Sequence, residues 1–148
     1  MPNPKKQRPY CAICGKEVAR AGYKYCSNVC QQEYQYQYFI QQWHTNKVAA
    51  LRNIGVVSRY IKKYLRRKYN DRCCLCGWSE VNLKTGLVPL VADHIDGNWE
   101  NNEESNLRLL CPNCDSLTPT YAALNKGNGR RSRVKSRRAT TKGYLIQK

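Results

Sequence analysis

The stretch Asp93-His94-Ile95-Asp96-Gly97-Asn98, followed by Asn106-Leu107-Arg108-Leu109-Leu110-Cys111-Pro112-Asn113-Cys114, decides how this chain is read. Its second part ends in a Cys-x2-Cys step. A matching step, Cys73 to Cys76, lies upstream, with 34 residues between the two. Tetrahedral zinc takes four soft ligands, and two tight Cys-x2-Cys turns supply two thiolates each, already aimed at one point. Cys74 offers a Cys-x-Cys alternative, but the wider spacing is the commoner zinc turn, so Cys73 is assigned and Cys74 is left as a packed thiol. The Asp/His chemistry falls inside the loop that such a zinc would staple.

Outward from this stretch, residues 87–94 predict a short strand running into a polar turn at Asp96-Gly97-Asn98, where Asp96 and Asn98 act as turn-formers rather than ligands. Leu107–Leu110 predicts a second strand, and Pro112 opens a helix, since proline suits the first helical turn. The order across residues 87–124 is therefore strand, turn, strand, helix. Upstream, Tyr60, Ile61, Tyr64, Leu65 and Tyr69 recur at helical spacing between Val57 and Tyr69, with Ser58 as a cap. The opposite face of that helix carries Arg59, Lys62, Lys63, Arg66, Arg67 and Lys68, and is either a solvated surface or a phosphate-contacting one. Residues 31–43 alternate like a strand at Tyr34, Tyr36, Tyr38 and Ile40, yet their Gln and Glu content favours a helix. Residues 44–55 read as a linker or a short turn of helix, and His44, with no carboxylate or cysteine pair beside it, as incidental.

Near the N-terminus, Cys11-x2-Cys14 and Cys26-x3-Cys30 form another set of four. The segment has few apolar residues and cannot build a core, so a second zinc is the expected staple. The chain has nine cysteines. An odd count fits full disulfide pairing poorly, and residues 1–10 are charged and proline-containing, with no apolar run after them. The expectation is a reducing compartment, where clustered cysteines hold metal. The apolar stretch around Leu87–Ala92 is too short to span a bilayer.

The net charge of +16 is unevenly spread. Residues 1–70 hold fourteen Lys/Arg against two Glu, residues 71–118 three against eight Asp/Glu, and residues 119–148 nine with no acid. Basic flanks suit phosphates, each contact releasing counterions. An acidic centre would repel phosphate unless a divalent cation sat in it.

The combination of D-H-I-D-G-N, N-L-R-L-L-C-P-N-C and the knuckle spacing resembles the HNH endonuclease family, of the phage and homing-endonuclease type with paired zinc knuckles. The resemblance covers about residues 72–130. The N-terminal Y-C-S-N-V-C-Q is similar to the zinc-finger-like unit found ahead of some phage HNH modules. The resemblance implies a small α+β protein with a ββα-metal, treble-clef-like nuclease module enclosing one catalytic cation. It implies that Asp93 binds this cation, that His94 activates water, and that Asn106 braces the loop orienting His94. The third signature position falls on Asp115, where the family usually has His or Asn. A carboxylate suits hard Mg²⁺ or Mn²⁺, so this departure either preserves the site with altered metal preference or marks a decayed copy.

The residues support the same chemistry without the family. Phosphodiester hydrolysis needs a water-derived nucleophile, for which a neutral histidine is a suitable base, and charge neutralisation by a cation acting as Lewis acid. The expectation is a cytoplasmic DNA endonuclease, of a bacterial or phage-infected cell, acting on double-stranded DNA with structural zinc, twice over, and catalytic Mg²⁺ or Mn²⁺. The alternative is a zinc-stabilised DNA-binding protein whose nuclease site has decayed. A basic RNA-binding protein would leave the histidine and carboxylates unexplained. The expected organisation is a four-cysteine zinc unit at 1–32, a helical basic region at 33–70, the nuclease domain at 71–125 and a basic tail at 126–148. Arg130, Arg131 and Arg133 of the tail join Arg59, Lys62, Lys63, Arg66 and Arg67 as candidate DNA contacts.

Overall fold

The computed structural model describes residues 7–45, 51–53 and 56–126. The chain divides into two compact units, Met1–Val48 and Ala49–Lys148. Residues 33–70 are therefore shared between the units.

The first unit is a cysteine-bearing loop followed by one helix, α1 (Asn28–His44). Ser27 caps it, its hydroxyl accepting from the Cys30 backbone N–H at 3.3 Å. The helical reading of residues 31–43 thus holds, and the period-two run of tyrosines is not a strand. Tyr36 and Trp43 are buried, while Tyr34 and Tyr38, four residues apart, stack on each other in the open.

The second unit begins with two short antiparallel strands, β1 (Leu51–Asn53) and β2 (Val56–Val57). In place of the linker or helical turn that the sequence suggests, the backbone pairs Leu51 with Val57 and Asn53 with Val56. Helix α2 (Arg59–Lys68) follows, capped by Ser58, whose hydroxyl accepts from the Tyr60 N–H at 3.2 Å. Its inner stripe, Ile61 and Leu65, is fully buried and packs on β4 (Leu107–Leu110). Leu107 and Leu109 are buried with them, while Leu110 belongs to a separate cluster with Cys73 and Cys111; each such burial contributes roughly 1.5–3 kcal/mol.

Strand β3 (Val91–His94) pairs antiparallel with β4, placing Val91 opposite Leu110, Ala92 opposite Leu109, Asp93 opposite Arg108 and His94 opposite Leu107. The strand is shorter than residues 87–94 because Pro89 has no N–H to give a ladder; Leu87 makes only an isolated bridge to Asn82. Cys111 then caps α3 (Pro112–Ser116), its sulfur accepting from the Cys114 N–H, with Pro112 in the first turn. The second unit is thus α+β, and strand, strand and helix follow one another around the decisive stretch. Among the described residues no helix is long and apolar enough to cross a membrane.

Candidate metal centre and carboxylate cluster

The two cysteine sets converge as two tetrads, Cys11, Cys14, Cys26 and Cys30, and Cys73, Cys76, Cys111 and Cys114, each with its sulfurs within 4.8 Å of one another. Neighbouring sulfurs lie 3.4 and 3.6 Å apart in the first and 3.7 Å apart in the second. Four thiolates at about 2.3 Å from zinc stand about 3.8 Å from each other in a tetrahedron, so both tetrads can hold zinc. The same local device builds both first knuckles. The Gly15 N–H donates to the Cys11 carbonyl and the Gly77 N–H to the Cys73 carbonyl, at 3.0 and 2.9 Å. Both glycines have positive φ, at 71° and 74°, a region that suits residues without a Cβ. Both second knuckles sit at a helix N-terminus, Cys30 in α1 and Cys114 in α3. Cys74 stays outside the tetrad, its N–H tied to the Leu109 carbonyl.

The thiols show why such a cluster calls for a cation. Backbone N–H groups of Cys14, Ile13 and Cys26 lower Cys11 to about 6. Burial opposes ionisation of Cys73, yet N–H groups of Cys76, Cys111 and Leu75 bring it to about 6 as well. Cys26 is pushed up to about 12 by the sulfurs of Cys14 and Cys30, and Cys114 to about 12 by those of Cys76 and Cys111. A cation among the four sulfurs would offset the repulsion that opposes their joint ionisation.

Between the knuckles Arg108 pairs with Asp93, and Asp115, directly after the second knuckle on α3, is near enough for both charges to act on its carboxyl. Arg108 Nε donates to Asp93 Oδ2 at 2.8 Å. Burial and the Asp93 carboxylate push the Asp115 carboxyl above its ordinary range, while Arg108 pulls it back. Asp115 is placed by the turn of α3, its N–H donating to the Cys111 carbonyl and its carbonyl accepting from the Thr118 N–H and hydroxyl. The backbone of Asp115 is therefore held by a cysteine of the second tetrad.

His94 leaves β3 on the side opposite Asp93, as alternate residues of a strand do. Its Nε2 lies 3.0 Å from Asn102 Oδ1. The Asn102 amide nitrogen donates to the carbonyls of Trp99 and Glu100, so its oxygen is the end offered to the ring. Nε2 is then the donor in this contact, which in a neutral ring leaves the lone pair on Nδ1. Asn102 was not among the residues singled out from sequence, because nothing in its spacing announces a partner eight residues back.

Asn106 is buried and holds the loop between the strands at three points. Its Oδ1 accepts from the Asp96 N–H at 3.1 Å, and its Nδ2 donates to Asp96 Oδ1 and to the Asn101 carbonyl, both at 2.8 Å. Asp96 also accepts from the Asn98 N–H and the Asn101 amide. Burial works against its charge, but the Asn101, Asn106 and Asn98 donors hold the Asp96 carboxyl below its usual value. Asp96 and Asn98, whose Oδ1 takes the Glu100 N–H, are thus engaged in the turn. Replacing Asn106 by alanine is expected to remove roughly 1–3 kcal/mol of stability by stranding the Asp96 N–H, read as a lower urea midpoint at unchanged slope.

The Glu104–Asn106 turn is itself anchored to α2, since Glu104 Oε1 receives the Tyr64 hydroxyl and the Lys68 ammonium, both at 2.6 Å. The basic face of α2 is not uniform. Arg66 turns inward, donating through both terminal nitrogens to the Val88 carbonyl and pairing through Nε with Asp71 at 2.6 Å. Arg59 lies over the Tyr60 ring and donates to its hydroxyl, while Lys62 and Arg67 are exposed and Lys63 is half-buried. Arg130, Arg131 and Arg133 lie outside the described residues.

Over 40 residues the chain is 60% identical to the H-N-H endonuclease F-TflIV of Escherichia phage T5. The match covers 27% of this chain and 18% of that protein, so the chain spans less than a fifth of the relative it matches. No family model and no solved structure matches. The likeness supports a nuclease of HNH type, over a short segment.

Proposed function

We propose that the chain is a metal-dependent endonuclease that hydrolyses phosphodiester bonds of double-stranded DNA through a ββα-metal module at residues 71–125. Two observations carry this reading: Asp93 on β3 and Asp115 on α3 are near enough to act on each other's charge beside a cysteine tetrad, and a 40-residue segment is 60% identical to a phage HNH endonuclease. Two hard carboxylate oxygens fit Mg²⁺ or Mn²⁺. When bound, such an ion supplies Lewis acidity and neutralises charge on the phosphate. In this reading His94 takes a proton from water through Nδ1, with Asn102 fixing the ring. Asn106 keeps the turn in the shape that presents His94, and zinc holds the scaffold without entering the chemistry. Arg59, Lys62, Lys63 and Arg67 are the α2 residues proposed to contact phosphates, joined by the 126–148 tail with Arg130, Arg131 and Arg133; Arg66 acts chiefly in packing. The zinc unit at 1–32 adds a further basic surface.

A plasmid assay tests this directly. Zinc-loaded protein is expected to relax supercoiled DNA only after Mg²⁺ or Mn²⁺ is added, and Asp93→Asn is expected to abolish that response. Nicking that ignores added cations, or survives in Asp93→Asn at matched purity, refutes the assignment. A second reading, a DNA-binding protein with a decayed site, is favoured by one observation: a guanidinium already sits on Asp93.

A further inference from the structure

Asp93 is closed by a charge of the protein's own. Its pairing with Arg108 spans 2.8 Å, and both side chains are largely withdrawn from water, at 14% and 18% exposure. The contact follows from register, because Asp93 and Arg108 face each other across β3 and β4 and directly opposed residues share a face of the sheet. Asp115 lies within electrostatic reach of both. Two carboxylates and one guanidinium make a half-buried cluster of formal charge −1, in which arginine already provides much of the neutralisation that a bound cation would.

A divalent ion entering beside an undisturbed Arg108 would meet a like charge where water screens it poorly. If the guanidinium leaves as the ion arrives, the cluster instead becomes neutral. Resting on the nuclease reading above, we propose that Arg108 is a built-in counter-cation that competes with the divalent ion for Asp93, so that metal loading displaces the guanidinium. The released group, a planar fork of N–H donors, matches phosphate geometry, and DNA is the anion that would receive it. Arg108 would thereby link occupancy of the metal site to the presence of substrate. A merely bracing arginine, which holds Asp93 in place for the metal, requires the opposite response to its removal.

The sign of that response is the test. Zinc-loaded protein is titrated with Mn²⁺ in the absence of DNA, and binding is followed by calorimetry and by water-proton relaxation. Arg108→Gln is expected to bind Mn²⁺ about tenfold tighter than wild type or more, and Arg108→Lys, which keeps the charge, to stay within about threefold of wild type. Asp93→Asn is expected to lose the site in either background. Equal or weaker binding by Arg108→Gln, with zinc content and melting retained, overturns the competition while leaving the nuclease reading intact. So does a lysine variant as tight as the glutamine one. Absence of any Asp93-dependent Mn²⁺ binding, in wild type and variants alike, overturns both. Should the glutamine variant fail to fold, wild type decides: the Arg108 Nε–H resonance is expected to shift or broaden as Mg²⁺ saturates Asp93. A resonance that stays unmoved through saturation overturns the proposal.

Discussion

Replacing Cys76 or Cys114 by serine is expected to unfold the module around the β3–β4 hairpin outright. Cys73, Cys111 and Leu110 form one buried cluster, with Cys74, Trp78, Leu90 and Cys114 packed against it. This cluster is small, and it lies beside an insert rich in polar turns. A structural zinc contributes about 10–16 kcal/mol of apparent binding free energy in small domains, comparable with or larger than the roughly 5–15 kcal/mol that keeps an ordinary domain folded. Losing one ligand therefore removes more than the aliphatic core can replace. The expected result is one zinc per chain in place of two, loss of the cooperative melting transition of the second unit, and loss of any activity that unit carries. Full zinc content with an unchanged transition in both variants would contradict the assignment of this tetrad.

His94→Ala is expected to lower DNA nicking by about 10²–10⁴-fold, the usual contribution of a positioned general base, while leaving zinc content and melting close to wild type. Structural damage should be limited, since His94 is half-buried and its described hydrogen-bond partner is Asn102. Removing the ring costs the loop a single side-chain hydrogen bond. The two outcomes are separable in one preparation: the cysteine variants lose fold and activity together, and the histidine variant loses activity alone. Equal nicking by His94→Ala and wild type would sink the role given to His94.

Several features are legible in the sequence because they depend on short-range rules. A Cys-x2-Cys-Gly turn is a local object, closed by a backbone hydrogen bond within five residues, so Cys11–Gly15 and Cys73–Gly77 announce two metal knuckles by spacing alone. The cap at Ser58 likewise acts within two residues of its helix, whereas the caps at Ser27 and Cys111 emerged from the structure. The Ile61/Leu65 stripe is visible because helical periodicity repeats over a single turn. The match to a phage HNH endonuclease agrees with the family suggested by the D-H and N-L-R-L-L-C-P-N-C stretches. The small strands at 51–53 and 56–57 were not legible, since strands this short carry too little periodicity to stand out from a linker.

The contacts that shape the candidate site are of another kind. Arg66 belongs by sequence to a basic helical face, yet the carbonyl it donates to, Val88, lies 22 residues away. Glu104 reaches Tyr64 and Lys68 across 40 and 36 residues. Arg108 appears in the sequence as one cation in a run of leucines, and only the β3–β4 register sets it against Asp93. That register is fixed by the intervening polar turns and by Asn106, and a slip of one residue would send Arg108 to the other face. By itself, then, the sequence determined where knuckles able to hold metal form, that Ser58 caps α2, and which residue types are available for phosphodiester chemistry. The tertiary structure alone decided that Asp93 is paired with an arginine, because charge pairing across a sheet depends on register and not on any local propensity.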